Sequence, residues 1–307
     1  MVKYSIERIS LTNLRHLQTL YRAAFGKRVS LQFLSKKYNT KFTGVEFIGY
    51  LAFDQNHSPA AFYGVLPCYF RIKGEKILAA QSADTMTHPR HRREGLFLRL
   101  AHETYALAKQ SGIQFIFGFP NQNSFAGFVK LNWNFQEAPM MIFRLKVTPL
   151  LLSKIMRRIS FIGNAYGDYL NSKYPVKTPE VIFSGHLHDG LIKDAAFIDY
   201  KAYSKTYFIQ IDEVELWIKV DSALKIGYVR VSKVTSLKRF LQRVYKIAIA
   251  SGCSHAIFMT SVNTSLYEML CGVEKPQESF PVGFYKLTDH ELDFSNVQFE
   301  YCDIDIF

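Results

Sequence analysis

The chain has 307 residues, which is enough for two domains or for one large domain with a substantial core. Hydrophobic residues make up 48% of the composition and charged residues 21%, which excludes a largely disordered or fibrous protein. Lysine and arginine (38) exceed aspartate and glutamate (26) by 12. This excess favours polyanionic partners such as nucleic acid, an anionic membrane surface or a phosphate-bearing cofactor, without choosing among them.

The first half of the chain alternates strands with amphipathic helices. Ser30 is a good helix N-cap, and Gly26 and the pair Ser111-Gly112 are good helix stops. Hydrophobic spacing predicts a strand over residues 2–9, helices over 12–25 and 30–38, strands over 46–53, 60–69 and 76–88, a helix over 96–109 and a strand over 113–119. The nearly continuous apolar run of the last strand is typical of a strand buried on both faces, so we expect a parallel crossover through the helix before it.

The second half follows a similar pattern. It predicts a strand over 223–231, a helix over 237–250 ended by Ser251-Gly252, and a strand over 255–260. Asn-rich turns follow the corresponding strands at 121–124 and 263–265. This correspondence favours an internal duplication, although common helix–strand patterning would also produce it. We expect a first domain over 1–146, a helical connector over 147–180 and a second lobe over 181–307.

The four cysteines are widely separated and match no zinc-ligand spacing, which is typical of a protein from a reducing compartment. The N-terminal residues contain no apolar run of signal-peptide length, and no window approaches about 20 uninterrupted apolar residues. We therefore expect a soluble cytoplasmic protein without stable membrane insertion.

Residues 82–97 contain the clearest candidate for a binding site, because a predicted strand leads into a basic turn at the start of a helix. The first amides of a helix are free to bind an anion, and the helix dipole adds positive potential there. Arg92 and Arg93 would reinforce this, and Gly95 leaves the backbone accessible to a phosphate. The turn therefore predicts a pyrophosphate site, with an ordinary basic surface turn as the alternative.

The string Arg92-Arg93-Glu94-Gly95-Leu96-Phe97 resembles the pyrophosphate loop of the GCN5-related N-acetyltransferases (GNAT), which has the pattern Gln/Arg-x-x-Gly-x-Gly/Ala. Phe97 replaces the final small residue. Downstream, residues 117–121, Ser124 and residues 128–133 resemble the family's strand, its Asn-bearing turn and its "Tyr-x-Lys-Leu-Gly-Phe" helix end, with Asn132 at the glycine. This variant is similar to a bacterial subgroup with two acetyltransferase-like lobes.

The resemblance implies a mixed α/β (α+β) fold: a GNAT-type central sheet flanked by helices, with a second, degenerate GNAT-like lobe that closes the substrate cleft. It implies an acyl-CoA-dependent N-acyltransferase that uses acetyl-CoA or another acyl-CoA. A small-molecule acceptor amine, such as an amino sugar or sugar nucleotide, would attack the thioester directly. The turn over 231–237 lacks glycine and arginine, so no second cofactor site is expected.

The resemblance also implies which residues hold the cofactor. The pantetheine arm would pair with the strand before the loop, and the pyrophosphate would lie on the loop amides. The implied cofactor-binding residues are Met86, Thr87, Arg92, Arg93, Glu94, Gly95, Leu96, Phe97, Phe119, Asn121, Asn123, Ser124 and Phe128. Phe128 stands where many members carry the tyrosine that protonates the departing thiolate. Phenylalanine cannot donate a proton, so another acid serves, water serves, or the site is not catalytic.

Asp84 and His88 are the candidate catalytic bases, because direct transfer needs a neutral amine. Strand alternation places Asp84, Met86 and His88 on one face. The alternative is that Asp84 caps a turn or pairs with an arginine. His186 and His188 would share a strand face, but no third ligand is evident, so no metal is expected.

The sequence leaves open two other functions and the structural role of the C-terminal tail. The substitution at Phe128 is also compatible with a non-catalytic acyl-CoA sensor. The net charge alone suggests nucleic-acid binding, but the basic residues are dispersed and no nucleic-acid motif is present, so no nucleic-acid partner is expected. The tail over 301–307 is either a capping edge strand or part of the cleft lining.

Overall fold

The computed structural model describes residues 3–148, 160–176, 188–231 and 237–307, which form two mixed sheets flanked by helices. The α/β GNAT-type architecture expected from the sequence is confirmed. The predicted connector over 147–180 lies only partly within these residues and contains one described helix, α5 (Ser160–Lys173). None of the helices in the described part of the chain has the length and apolarity needed to cross a bilayer.

The first sheet has eight strands. They are β1 (Ser5–Arg8), β2 (Ile48–Phe53), β3 (Pro59–Ile72), β4 (Glu75–Thr87), β5 (Phe115–Gly118), β6 (Asn134–Phe135), β8 (Gly190–Leu191) and β14 (Gly283–Lys286). Their order is β1-β2-β3-β4-β5-β14-β6, with β8 beside β3. Its helices are α1 (Leu14–Phe25), α2 (Leu31–Tyr38), α3 (Leu96–Gln110) and α4 (Phe125–Lys130).

Helices α1, α2 and α3 begin and end close to the predicted residues. Helix α1 ends at Gly26, whose φ of 67° lies in the left-handed region. Helix α2 begins after Ser30, whose side chain accepts a hydrogen bond from the Phe33 amide. Helix α3 joins β4 to β5, and these two strands are parallel, as the predicted crossover requires.

The second sheet has six strands. They are β7 (Met141–Lys146), β9 (Tyr207–Ile211), β10 (Val214–Val220), β11 (Leu224–Val231), β12 (His255–Thr260) and β13 (Gln277–Glu278). Their order is β13-β7-β12-β11-β10-β9. Its helices are α6 (Ala195–Lys201), α7 (Leu237–Ala250) and α8 (Ser265–Cys271).

The two sheets share one topology. The orientations of neighbouring strands follow the same succession in both sheets: antiparallel, antiparallel, parallel, antiparallel, antiparallel. The two strand orders compared are β2-β3-β4-β5-β14-β6 and β9-β10-β11-β12-β7-β13. Helices α3 and α7 occupy the same place in the two runs, as do α4 and α8. The repeated pattern supports the two-lobed interpretation of the sequence.

The lobes exchange one strand each. Strand β14 from the C-terminal half lies between β5 and β6 of the first sheet, and β7 from the N-terminal half lies between β12 and β13 of the second. The predicted boundaries at residues 146 and 181 stay predictions, but the sheets cross them. Aromatic side chains from both halves form a common core, in which Phe117 stacks on Phe299 with ring centroids 5.4 Å apart.

The C-terminal tail is part of this shared core and is not an edge strand. Residues Tyr301–Asp303 form a single 3-10 turn. Phe307 is fully buried against Trp217, and its ring fills the space that a side chain at Gly227 would need. The tail thereby holds the two lobes together.

Candidate active site

The basic turn between β4 and α3 has the backbone geometry of an anion site. Arg93 and Gly95 both have positive φ angles, 65° and 72°. The backbone amides of Gly95, Leu96 and Phe97 make no hydrogen bond to any residue that the structure describes. A β-carbon added at Gly95 would meet no atom within 4 Å, so open space lies in front of the turn. These free amides can receive a phosphate group.

The charges around the turn favour an anion. Arg92 and Arg93 are exposed, and neither forms an ion pair with the described part of the chain. Glu94 is the one acidic residue of the loop, and its carboxylate lies 2.6 Å from Lys3 Nζ. Lys3 therefore balances the negative charge, and the two arginines remain available to a ligand.

Strands β4 and β5 diverge beside this turn. Their parallel pairing extends only from Ala79–Phe115 to Gln81–Phe117. From Ser82 to Thr87, β4 keeps β3 on one edge and has no β5 residue on the other. The predicted pantetheine-binding residues Met86 and Thr87 lie on this unpaired stretch, opposite Phe62 and Ala61 of β3. An extended ligand can hydrogen-bond along such a free strand edge.

A β-bulge interrupts β4 within the diverging stretch. Gly64 pairs with Ala83 and Phe62 pairs with Met86, so Tyr63 faces two residues, Asp84 and Thr85. Asp84 has a φ of 54°, which is unfavourable for a residue with a side chain. Strained backbone of this kind is common at functional sites.

Comparison with known proteins agrees with this geometry. Residues 5–135 match the family model described as an acetyltransferase (GNAT) domain. Those residues are a GNAT domain.

Solved structures resemble the chain beyond that domain. A GCN5-related N-acetyltransferase from Anabaena variabilis ATCC 29413 has 12% identity and a TM-score of 0.59, over 93% of this chain and 73% of that one. One from Kribbella flavida has 9% identity and a TM-score of 0.54, over 92% and 71%. A candidate acetyltransferase from Pyrococcus horikoshii has 10% identity and a TM-score of 0.56, over 99% and 95%. At these identities the likeness establishes the fold. None of the curated protein sequences matches the chain.

The bulge directs Asp84 of the GNAT domain into a buried polar cluster. Its carboxylate accepts hydrogen bonds from the hydroxyls of Tyr21 and Tyr38 and lies 2.7 Å from Lys37 Nζ. Lys37 Nζ is also 2.9 Å from Asp305 of the C-terminal tail. The alternative reading of the sequence, an ion pair at Asp84, is therefore present, but with a lysine. An acceptor amine that uses Asp84 as its base has to displace one of these donors.

Lys37 is the centre of this cluster, and its side chain is only 3% exposed. Burial acts to lower its pKa, but the carboxylates of Asp305 and Asp84 outweigh burial and hold the pKa well above its ordinary value. Lys37 therefore stays charged and connects β4 to the C-terminal tail.

His88 lies at the opposite end of the diverging stretch from Ser82, about 20 Å along the strand. Its Nδ1 accepts a hydrogen bond from the Arg90 amide, and its ring lies 5.5 Å from that of His91. Burial, then His91 and Arg90, lower the pKa of His88. Asp84 and His88 have no described partner in common, so the structure does not bring the two candidate bases together.

Phe97 and Phe128 pack in the core of the GNAT domain. The Phe97 ring lies 5.5 Å from Phe128 and 5.4 Å from Tyr63, and it occupies the space beside Gly127 that a β-carbon would need. The large residue in the loop is thus matched by a glycine on α4. Phe128 is 3% exposed and also packs on Trp133. The Leu96 side chain is buried too, so all three side chains pack within the domain, and a contact of these residues with the cofactor stays a prediction.

The predicted cofactor-binding residues after β5 make contacts with their neighbours in the chain. Asn121 Oδ1 accepts hydrogen bonds from the amides of Asn123 and Ser124, a turn that starts α4. Ser124 Oγ accepts from the Asn121 amide at 3.1 Å. Phe119 packs on Phe117 and Phe299. A contact of these residues with the cofactor stays a prediction.

A chain of hydroxyl groups near Phe128 was not predicted. Ser82 Oγ donates to the Tyr63 hydroxyl at 3.0 Å, the Tyr63 and Tyr105 hydroxyls are 2.8 Å apart, and Trp133 Nε1 donates to Tyr105 at 2.9 Å. Ser82 is the first β4 residue beyond the pairing with β5. The four residues are distant in the sequence, so no local pattern indicates the chain.

No metal site is evident in the parts of the chain that the structure covers. Glu300, Cys302 and Asp303 place ligand atoms within 4.8 Å of one another. However, Lys193 Nζ lies 2.8 Å from Asp303 and already supplies the positive charge. His186 lies outside the described residues, as does the turn over 232–236, so the predictions made for them stay untested.

Buried Lys201 gives the protein a pH-dependent stability. Burial lowers its pKa to about 8 from the ordinary 10.5. Between these values the unfolded chain binds more protons than the folded chain, so the free energy of unfolding rises with pH. We expect the wild type to gain about 2 kcal/mol relative to Lys201→Met from pH 7 to about pH 9.5. Urea unfolding at a series of pH values measures this, and parallel pH profiles would refute it.

Proposed function

We propose that this protein is an acyl-CoA-dependent N-acyltransferase, with acetyl-CoA as the first cosubstrate to test. The observation that carries the proposal is the continuity of three features in the GNAT domain: free amides at the start of α3, an unpaired strand edge from Ser82 to Thr87, and the divergence of β4 from β5 at Gln81. Together they form one path for a long, phosphate-bearing thioester.

Each part of this path has a role in binding and orientation. The amides of Gly95, Leu96 and Phe97, with Arg92 and Arg93, hold the pyrophosphate. The backbone of Met86 and Thr87 pairs with the pantetheine arm. Backbone amides near the bulge polarise the thioester carbonyl, which lowers the barrier to attack by an amine.

Acid and base roles follow from position. Asp84 is the better placed candidate base, because it lies within the diverging stretch, whereas His88 lies at the loop end. Ser82 is the nearest side-chain hydroxyl at the point of divergence and is held by Tyr63. We infer that the Ser82 hydroxyl turns away from Tyr63 and donates its hydrogen bond to the departing thiolate, in place of the hydroxyl that Phe128 lacks.

The acceptor is a small-molecule amine that binds between the lobes. An amino sugar or sugar nucleotide is the first class to test, because the sequence resembles the two-lobed bacterial subgroup. The excess of 12 positive charges suits a phosphorylated acceptor.

A second candidate function is a non-catalytic acyl-CoA sensor. Two observations favour it: Phe128 is a buried hydrocarbon, and the Asp84 carboxylate already has three donors. Such a protein would bind acyl-CoA without consuming it.

Release of free thiol from acetyl-CoA with a panel of amines separates the two functions. For a transferase we expect amine-dependent release, and Asp84→Asn should lower kcat by at least about 100-fold because it removes the base. Asp84→Asn keeps the shape of the side chain, so its CoA affinity should be unchanged. Tight acetyl-CoA binding without thiol release for any amine would favour the sensor.

A further inference from the structure

The C-terminal tail brings a second carboxylate to the buried lysine that contacts Asp84. Lys37 Nζ lies 2.7 Å from Asp84 Oδ2 and 2.9 Å from Asp305 Oδ2. The side chains of the three residues are 3%, 8% and 13% exposed, in that order. One ammonium group is therefore shared between a carboxylate of β4 and a carboxylate of the tail, and a small movement of Nζ changes the share of each.

Hydrogen bonds to the backbone of the tail hold Asp305 in place. The carbonyl oxygens of residues 304, 305 and 306 each accept a hydrogen bond from a side chain outside the tail. The donors are Lys201 Nζ at 2.8 Å, the Tyr203 hydroxyl at 3.2 Å and Lys219 Nζ at 2.9 Å, respectively. Because none of these bonds involves Asp84, the carboxylate of Asp305 is anchored independently of the candidate base.

The other two donors to Asp84 have no second partner of this kind. The hydroxyls of Tyr21 and Tyr38 donate to Asp84 and to no other acceptor in the described part of the chain. Displacement of either tyrosine would leave a buried hydroxyl without an acceptor, which is unfavourable. Lys37 is therefore the donor that leaves Asp84 most easily, because its charge keeps the carboxylate of Asp305.

We propose that Asp305 is a positioning residue for the acyl transfer, which holds Lys37 when the acceptor amine displaces this lysine from Asp84. The inference rests on the proposed function, in which Asp84 is the base. Asp84 Oδ2 then accepts the proton that the amine loses as its nitrogen bonds to the acyl carbon and the thiolate leaves. Asp305 acts through Lys37 and not on the substrate.

Steady-state kinetics of acyl transfer to an amine test this role. Asp305→Asn should lower kcat/KM for the amine at least about tenfold, because Lys37 loses its second carboxylate and its displacement from Asp84 leaves a buried charge unpaired. The affinity for acetyl-CoA, measured by calorimetry, should be unchanged. Tyr203→Phe is the matched control: it removes the hydrogen bond to the Asp305 carbonyl oxygen and leaves the carboxylate, so it should keep kcat/KM within about twofold.

Thermal unfolding of the free protein tests the sharing of Lys37 without any ligand. Asp84→Asn and Asp305→Asn should each change the midpoint only modestly, because Lys37 keeps one carboxylate in either variant. The double variant should lower the midpoint by more than the sum of the two single effects, because Lys37 is then buried without a counter-charge.

The results distinguish this role from the proposed function. If the wild type binds acetyl-CoA but acylates no amine, the proposed function fails, and the role of Asp305 fails with it. If the wild type transfers the acyl group and Asp305→Asn does so equally well, the positioning role alone is overturned. It is also overturned if Tyr203→Phe loses as much activity as Asp305→Asn, or if the two single effects on the midpoint are additive.

Discussion

Replacement of Gly95 by tryptophan should abolish CoA binding, weakening it by at least about 100-fold. The indole would fill the open space in front of the free amides of α3 and exclude the pyrophosphate. Titration calorimetry of the purified variant with CoA and acetyl-CoA measures the effect.

Gly112→Trp is the matched control. Gly112 also has a positive φ, 80°, and open space around its α-carbon, but it lies at the other end of α3, about 22 Å away. Both variants carry a similar backbone strain of about 1–2 kcal/mol, so a difference between their CoA affinities is due to the position of the tryptophan on α3. Equal CoA affinity for the two variants would refute the placement of the pyrophosphate at this loop.

Lys37→Met should lower the free energy of unfolding by about 3–5 kcal/mol, because it leaves the buried carboxylates of Asp84 and Asp305 without a counter-charge. The substitution keeps the hydrocarbon stem of the side chain, so the loss reflects the missing charge. Urea unfolding at neutral pH measures it.

Lys36→Met is the control for this prediction. Lys36 is the neighbouring residue on α2 and is exposed, so its replacement should change stability by less than about 0.5 kcal/mol. A similar small effect for Lys37→Met would mean that the buried bridge between β4 and the C-terminal tail does not stabilise the protein.

Local patterns predicted the elements of the fold well. The helix over 237–250 and the strand over 255–260 have the predicted bounds, because their hydrophobic spacing and the stop at Ser251-Gly252 act within a few residues. The basic turn was predicted for the same reason. Gly95 and the flanking arginines are adjacent in the sequence, and the start of a helix is a local feature.

Strand exchange between the lobes could not be predicted. The pairing of β14 with β5 joins residues more than 150 positions apart, and the local sequence pattern does not indicate which of the two sheets a strand joins. Side-chain packing in the folded protein decides this, for example where Phe284 lies beside Phe117, its register partner.

The polar network at Asp84 was only partly predictable. Lys37 occupies the buried face of α2 together with Leu34 and Tyr38, and a lysine at such a helical position is a signal for a buried ion pair. Its partners come from β4 and from the distant tail, which periodicity cannot indicate. The β-bulge also invalidated simple alternation along β4, because it inserts a residue into the strand.

Titration of the unmodified protein with acetyl-CoA and with CoA is the most direct test of the central claim, that the GNAT domain binds an acyl-CoA along β4 and the start of α3. We expect one binding site of micromolar affinity on each chain for both ligands, with acetyl-CoA bound more tightly. The absence of binding at millimolar ligand would contradict the claim and leave the GNAT fold here without its cosubstrate.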